Sequence, residues 1–316
     1  MDNYVSHSVA SENTIKVAVV GAGAVGGYFG GLLADGGADV TFIARGKRLE
    51  TFRTKDLTVK SWKGDFSIRV NASDDPEDVG PVDLVLFCVK SYDTESAIRQ
   101  TLPMIGPQTN VLSLQNGIDN EDKIASVIGM GKVVAGVAYI GASAPEPGLI
   151  LHRESGKIVF GELDGSVSER VAGLKAFFDR HGLPADISPA MTTVLWTKLA
   201  WNAPFNAINT LVGGPVKAII ENPHTLELAR LVTAEVVAVA NASGLRIVFE
   251  EVWERNVEFS RRYDVKTSMR QDYEAGKPLE HDALNGVIIT KAATCGLQAP
   301  YNFALYALLS RLQTAA

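Results

Sequence analysis

Lys198, Asn202 and Asn206 recur at i, i+4 and i+8 within Trp196-Thr197-Lys198-Leu199-Ala200-Trp201-Asn202-Ala203-Pro204-Phe205-Asn206. On a helix this spacing sets a cation and two amides on one face, about 6 Å apart per step. A lysine with an ordinary pKa near 10.4 carries a proton at neutral pH. Such a group suits proton donation to a carbonyl oxygen under reduction, while amides hold and orient a polar ligand. The same stripe is also what a solvent-facing side of an amphipathic helix looks like. The flanking aromatic residues argue for burial, and periodicity alone leaves both readings open. Farther on, Glu280-His281-Asp282-Ala283-Leu284-Asn285-Gly286 opens a helix after Pro278. Glu280 could pair with Lys198 across a cleft and keep its ammonium charged. It could equally be a first-turn acid that the helix dipole favours.

Other constellations are weaker. Tyr273 and Lys277 have a Tyr-x-x-x-Lys spacing, but Gly276 and Pro278 disrupt the helix that such a pair would need. The five histidines are scattered without a His-x-x-x-His pair, and the two cysteines form no Cys-x-x-Cys, so no metal site is expected. Gly-x-Ser-x-Gly is absent, which argues against an α/β-hydrolase.

The elements that must position these groups begin with the apolar run Ile15 to Val20 and the turn Gly21-Ala22-Gly23-Ala24-Val25-Gly26-Gly27. A buried strand, a glycine turn and a small-residue helix are what a dinucleotide pyrophosphate requires. Gly21 allows the tight turn, Gly23 lets the backbone approach the phosphates, and Gly26 lets the helix lie close to the sheet. The helix from Ala24 to about Asp35 aims free N–H groups at the anion. Gly21, Gly23, Ala24, Val25 and Gly26 are therefore cofactor-binding candidates. A second strand, Val40 to Ala44, ends without the acid that would hold a ribose 2′-hydroxyl; Arg45 stands there instead. Arginine pairs with a 2′-phosphate, so NADP(H) is the expected cofactor, although Arg45, Lys47 and Arg48 could also be a solvated basic loop.

Leu57 to Trp62 and Phe66 to Val70 suggest a hairpin about Lys63-Gly64-Asp65. Asp83 to Val89 reads as a central parallel strand that delivers Lys90 and Ser91 to its C-terminal end, and Asn110 to Leu114 delivers Gln115-Asn116-Gly117 to the same edge. Asp93 to Leu102 should be a helix. Further strands are expected at Lys132 to Ile140, Leu149 to His152, Lys157 to Gly161 and Ala185 to Ile187, with a helix near Val167 to His181. From Pro189 onward only helical periodicity remains. Helices are expected at about Met191 to Leu211, His224 to Ala242, Phe249 to Arg262, Ser268 to Ala275, His281 to Cys295 and Tyr301 to Leu312. The fold class is α/β: a Rossmann-type doubly wound sheet domain over 1–188, with 1–13 a disordered leader, then an all-helical domain over 189–316 that forms a cleft against the sheet edge.

Bulk properties fit this division. At 316 residues two domains are the default. A net charge of -6 gives no electrostatic reason to expect nucleic acid or an anionic membrane as partner. No apolar stretch reaches the length of a membrane span and the N-terminus lacks a signal-peptide core, so a cytoplasmic location is expected. Cys88 and Cys295 read as reduced, buried thiols.

Taken together, Gly21-x-Gly23-Ala24-x-Gly26-Gly27, Val89-Lys90-Ser91, Gln115-Asn116-Gly117, Trp196-x-Lys198-Leu199-x-x-Asn202-x-x-x-Asn206, Ser268-Met269-x-Gln271-Asp272 and Glu280-x-Asp282-x-x-Asn285-Gly286 resemble the ketopantoate reductase (2-dehydropantoate 2-reductase) family from about Ile15 to Tyr301. The resemblance implies NADPH-dependent reduction of ketopantoate to pantoate, a step towards coenzyme A. It implies that Lys198 is the general acid and that Glu280 engages it and the substrate hydroxyl. It also implies that Asn116, Asn202, Asn206 and Ser268 bind substrate, and that Arg45 and Lys90 belong to the cofactor side. Family members often carry a proline directly after the second helix asparagine; here Ala207 follows Asn206 and the proline is Pro204, so a bend one turn earlier is expected. A reductase of another small 2-oxo acid and a non-enzymatic NADP-sensing module are the alternatives, and a homodimer is possible.

Overall fold

The computed structural model describes residues 15–262 and 265–313; the expected leader lies outside them. Ten strands form one sheet: β1 Lys16–Val20, β2 Asp39–Ile43, β3 Leu57–Ser61, β4 Phe66–Ile68, β5 Asn71–Ser73, β6 Val82–Phe87, β7 Ile105–Ser113, β8 Val133–Glu146, β9 Leu149–Gly161 and β10 Ala185–Ile187. Their order is β4-β3-β9-β8-β7-β6-β1-β2-β5, with β10 beside β9. From β5 to β8 every pairing is parallel, whereas β8 runs antiparallel to β9. The chain reverses its direction of travel across the sheet between β1 and β6, and the crevice beyond those strand ends is where doubly wound sheets bind ligands. The expected strands Leu149 to His152 and Lys157 to Gly161 are one strand. Ser155 and Gly156, both at positive φ, bend it without ending it.

β1 and β6 are buried almost throughout, as strands covered on both faces must be. One face packs Val17, Val19, Leu84 and Leu86 against the helix Ala24–Asp35. The other packs Ala18, Val20, Val85 and Phe87 against the helices Thr94–Thr101 and Asn120–Ile128. The run Arg45 to Arg48, weighed above as a basic loop, instead leads into a helix, Gly46–Thr54. Its charged composition hid the two apolar anchors Leu49 and Phe52, which are buried. Cys88 and Cys295 are free and half-buried rather than buried.

Beyond residue 190 the described residues hold helices and no strand. The 22-residue helix Met191–Val212 is the spine of this part and packs along Pro223–Ala242. It runs unbroken through Pro204. Proline lacks the N–H that would bond the Ala200 carbonyl, and a buried side chain supplies the missing donor. Asn256 Nδ2 reaches Ala200 O at 3.0 Å, while the Thr233 hydroxyl gives its proton to Ala229 O at 2.8 Å and lies 3.3 Å from Ala200 O. Replacing Asn256 by Leu should leave that carbonyl underbonded, at a cost of about 1–3 kcal/mol. In a Pro204→Ala background the helix regains its own donor, so the same substitution should cost less. Urea unfolding of the four proteins measures this coupling; an equal cost in both backgrounds would refute it.

The expected helix His281 to Cys295 begins with a wide π turn over Asp282–Gly286 before the regular helix Val287–Thr294. The helix Ser268–Glu274 ends before Lys277, so Tyr273 and Lys277 do not share a helix.

Candidate active site

The glycine turn follows β1 and abuts the end of β6. Gly21 sits at φ 96°, and a Cβ there would lie 2.5 Å from Val89 N, so neither the backbone conformation nor the space admits another residue. Gly23 differs, because a Cβ at this position would meet nothing within 4 Å. Protein packing does not require glycine at Gly23, and the room over the turn is open, which fits the approach of a phosphate. Ala24 and Val25 start the helix Ala24–Asp35, whose first N–H groups face this space with no side-chain cap at Gly23.

Two further strand ends meet the turn. Beyond β6, Lys90 and Ser91 turn towards the helical part. Beyond β7, Gln115 and Asn116 are fixed by a buried network: Gln115 Nε2 donates to Thr94 Oγ1 at 2.7 Å and to Val89 O at 3.1 Å, and Asn120 Nδ2 donates to Asn116 O at 2.8 Å. Thr94 and Asn120 are themselves joined at 3.1 Å. Neither was legible as a site residue, since both lie in helical starts with no distinguishing spacing.

The polar stripe faces this edge and is not solvent-facing. Asn202 and Asn206 are buried and Lys198 is half-buried. Lys198 Nζ donates to the carbonyl of Ala138 in β8 at 2.8 Å and lies 6.0 Å from the centre of the Tyr139 ring. Asn202 Nδ2 reaches Asn116 Oδ1 across the cleft at 3.4 Å. Asn206 donates to Asn202 O at 3.1 Å, and its amide oxygen takes long contacts from Met269 N at 3.4 Å and Ser268 Oγ at 3.5 Å. Asn116, Asn202, Asn206 and Ser268 are thus joined in one run of contacts, with Lys198 one helical turn before Asn202.

Glu280 corrects the expected pairing. Its carboxylate meets Lys90 Nζ at 3.0 Å and the backbone N–H of Ser91 at 3.0 Å, and Asp272 takes the same ammonium at 2.6 Å. Among the described residues no ion pair joins Glu280 to Lys198. The reason lies in the order of the strand ends: Lys90 leaves β6 next to the π turn, while Lys198 reaches β8, two strands away. Burial opposes the charge on Lys90, but Glu280 and Asp272 outweigh it and hold its pKa well above the usual lysine value. Lys198 has no such partner. Burial pulls its pKa down to about 8, and the more distant charge of Glu280 offsets only part of that fall. Lys90 therefore bridges sheet and helices, and Lys198 holds a proton it can release near neutral pH.

At the far end of the turn stand Arg45 and Arg48. Arg45 is exposed and bonds Gln100 Oε1, from the helix Thr94–Thr101; Arg48 is half-buried and bonds the Ala22 carbonyl within the glycine turn. Neither arginine makes an ion pair among the described residues; their side chains bond Gln100 and the Ala22 carbonyl. Within the described residues no cluster of three or more His, Cys, Asp or Glu side chains could hold a metal ion, and no helix is long and apolar enough to cross a membrane.

Comparison with known proteins agrees with this geometry. The sequence profile of ketopantoate reductase PanE/ApbA matches residues 17–165, and that of its C-terminal part matches residues 190–313. The chain is 33% identical over 297 residues to a 2-dehydropantoate 2-reductase of Pyrococcus horikoshii, covering 93% of this chain and 96% of that one. The crystal structure of a 2-dehydropantoate 2-reductase from Geobacter metallireducens superposes with a TM-score of 0.90 at 34% identity, covering 94% and 99% of the two chains. A D-mandelate dehydrogenase structure in ternary complex with NADH and anilino(oxo)acetate shares the fold, with a TM-score of 0.90 at 23% identity over 95% and 99%. The chain belongs to the ketopantoate reductase family of oxidoreductases.

Proposed function

We propose that this protein is an NADPH-dependent 2-dehydropantoate 2-reductase that reduces the 2-oxo group of ketopantoate to the alcohol of pantoate. One observation carries the reading: an ammonium with no carboxylate partner, its pKa held near 8, stands one helical turn before Asn202, whose amide meets that of Asn116 at the sheet edge that also bears the glycine turn. A redox carbonyl site needs a proton donor and neutral groups to hold oxygen, and this surface offers both.

Gly21, Gly23, Ala24, Val25 and Gly26 would hold the pyrophosphate, Arg45 the 2′-phosphate, and Asn116 the nicotinamide side of the cleft. When bound, the nicotinamide supplies a hydride to the substrate's second carbon. Lys198 gives its Nζ proton to the carbonyl oxygen, leaving a neutral amine that solvent reprotonates. Asn116 and Asn202 hold that oxygen in line, while Asn206 and Ser268 bind the remainder of the 2-oxo acid. Glu280, anchored by Lys90 and the Ser91 N–H, presents an acceptor to a substrate hydroxyl and keeps a negative field on Lys198.

The test follows NADPH absorbance on addition of ketopantoate, with NADH and a panel of small 2-oxo acids alongside. Turnover should be fastest with ketopantoate and NADPH. Preference for another member of the panel would reassign the substrate, and NADPH binding without turnover on any of them would favour a sensing role.

A further inference from the structure

Arg48 is a half-buried cation with no anion beside it. A guanidinium has five N–H donors, and among the described residues only the bond to Ala22 O engages this one. Burial pulls its pKa below the usual arginine value, with no opposing charge to restore it. Holding a cation this way is costly unless a ligand completes its shell. The place where it is held is specific: Ala22 lies inside the glycine turn, and Arg45, the other arginine of this strand end, bonds Gln100 of the helix Thr94–Thr101. Lys47, which sits between them in sequence, is exposed and carries no side-chain bond.

We infer that Arg48 is a second phosphate-gripping residue, so that the 2′-phosphate of the dinucleotide is held between the guanidinium groups of Arg45 and Arg48 with Lys47 outside the grip. The inference rests on the NADP reading above and deepens it. Two planar donors on opposite sides of one phosphate give several charge-assisted hydrogen bonds, whereas a single exposed arginine shares its donors with water. Arg48 also ties this grip to the backbone of the turn, so the adenosine end and the pyrophosphate are read by one rigid unit.

Calorimetric titration of the full chain with adenosine 2′,5′-bisphosphate and with 5′-AMP tests this without turnover. The wild type should prefer the bisphosphate. Arg48→Ala should weaken the bisphosphate by about tenfold or more and 5′-AMP by less than about threefold, and Arg45→Ala should behave alike. Arg48→Gln keeps a donor for Ala22 O, so it separates lost phosphate binding from a damaged turn; it should still lose most of the preference. If the wild type prefers the bisphosphate and both Arg48 variants retain that preference, or lose both ligands equally, the inference falls and the NADP reading stands. A wild type without preference overturns both.

Discussion

Lys198→Ala is expected to lower kcat by about two to three orders of magnitude, the usual size of a lost general acid, with NADPH affinity little changed. The separation follows from position. Lys198 Nζ rests on the Ala138 carbonyl of β8, several strands away from the glycine turn that follows β1. The pH profile carries a further expectation. Reduction consumes a proton, so the protonated form of Lys198 is the active one. With a pKa of about 8, kcat should hold a plateau below that pH and fall as pH rises through it. A lysine left near 10.4 would show no such fall in the neutral range. Wild-type turnover in Lys198→Ala would remove its role as acid, and a flat profile from pH 6 to 10 would refute the burial argument.

The same contrast between Lys198 and Lys90 shows what the sequence could and could not carry. The stripe at 198, 202 and 206 was legible because helical spacing is local, but its burial was not: the aromatic residues around it argued for burial and the periodicity left a solvent-facing side open. The partner of Glu280 was not legible. Glu280 lies 82 residues beyond Lys198 and 190 beyond Lys90, and choosing between them requires knowing that Lys90 leaves β6 while Lys198 reaches β8, two strands away. The donor that rescues Ala200 beside Pro204 comes from Asn256, at a separation of 56 residues. Pro204 alone announces an underbonded carbonyl but not who satisfies it. The helix Gly46–Thr54 escaped notice because its polar face dominates a nine-residue window. The glycine turn was legible in full, since each of its constraints acts between chain neighbours or onto the adjoining strand end.

Glu121→Gln is expected to make the protein more stable at pH 8, by up to about 3 kcal/mol. Glu121 opens the helix Asn120–Ile128 beneath the Asn116 loop and is buried. Burial pushes its pKa up to about 7, and neither carboxylate oxygen has a hydrogen-bond partner among the described residues. An unfolded glutamate titrates near 4.3. Between these values the folded chain binds the extra proton, so stability falls as pH rises from about 4.5 and the full penalty is present above pH 7. Glutamine has no charge to desolvate, so the variant should lack this slope. Comparing urea unfolding of both proteins at pH 5 and pH 8 isolates the effect, because any fixed cost of the amide cancels in the difference. A wild type that loses no more stability than Glu121→Gln between these pH values would show that the carboxylate is solvated after all. The site would then lack the dry floor that holds the Asn116 loop in place opposite Lys198.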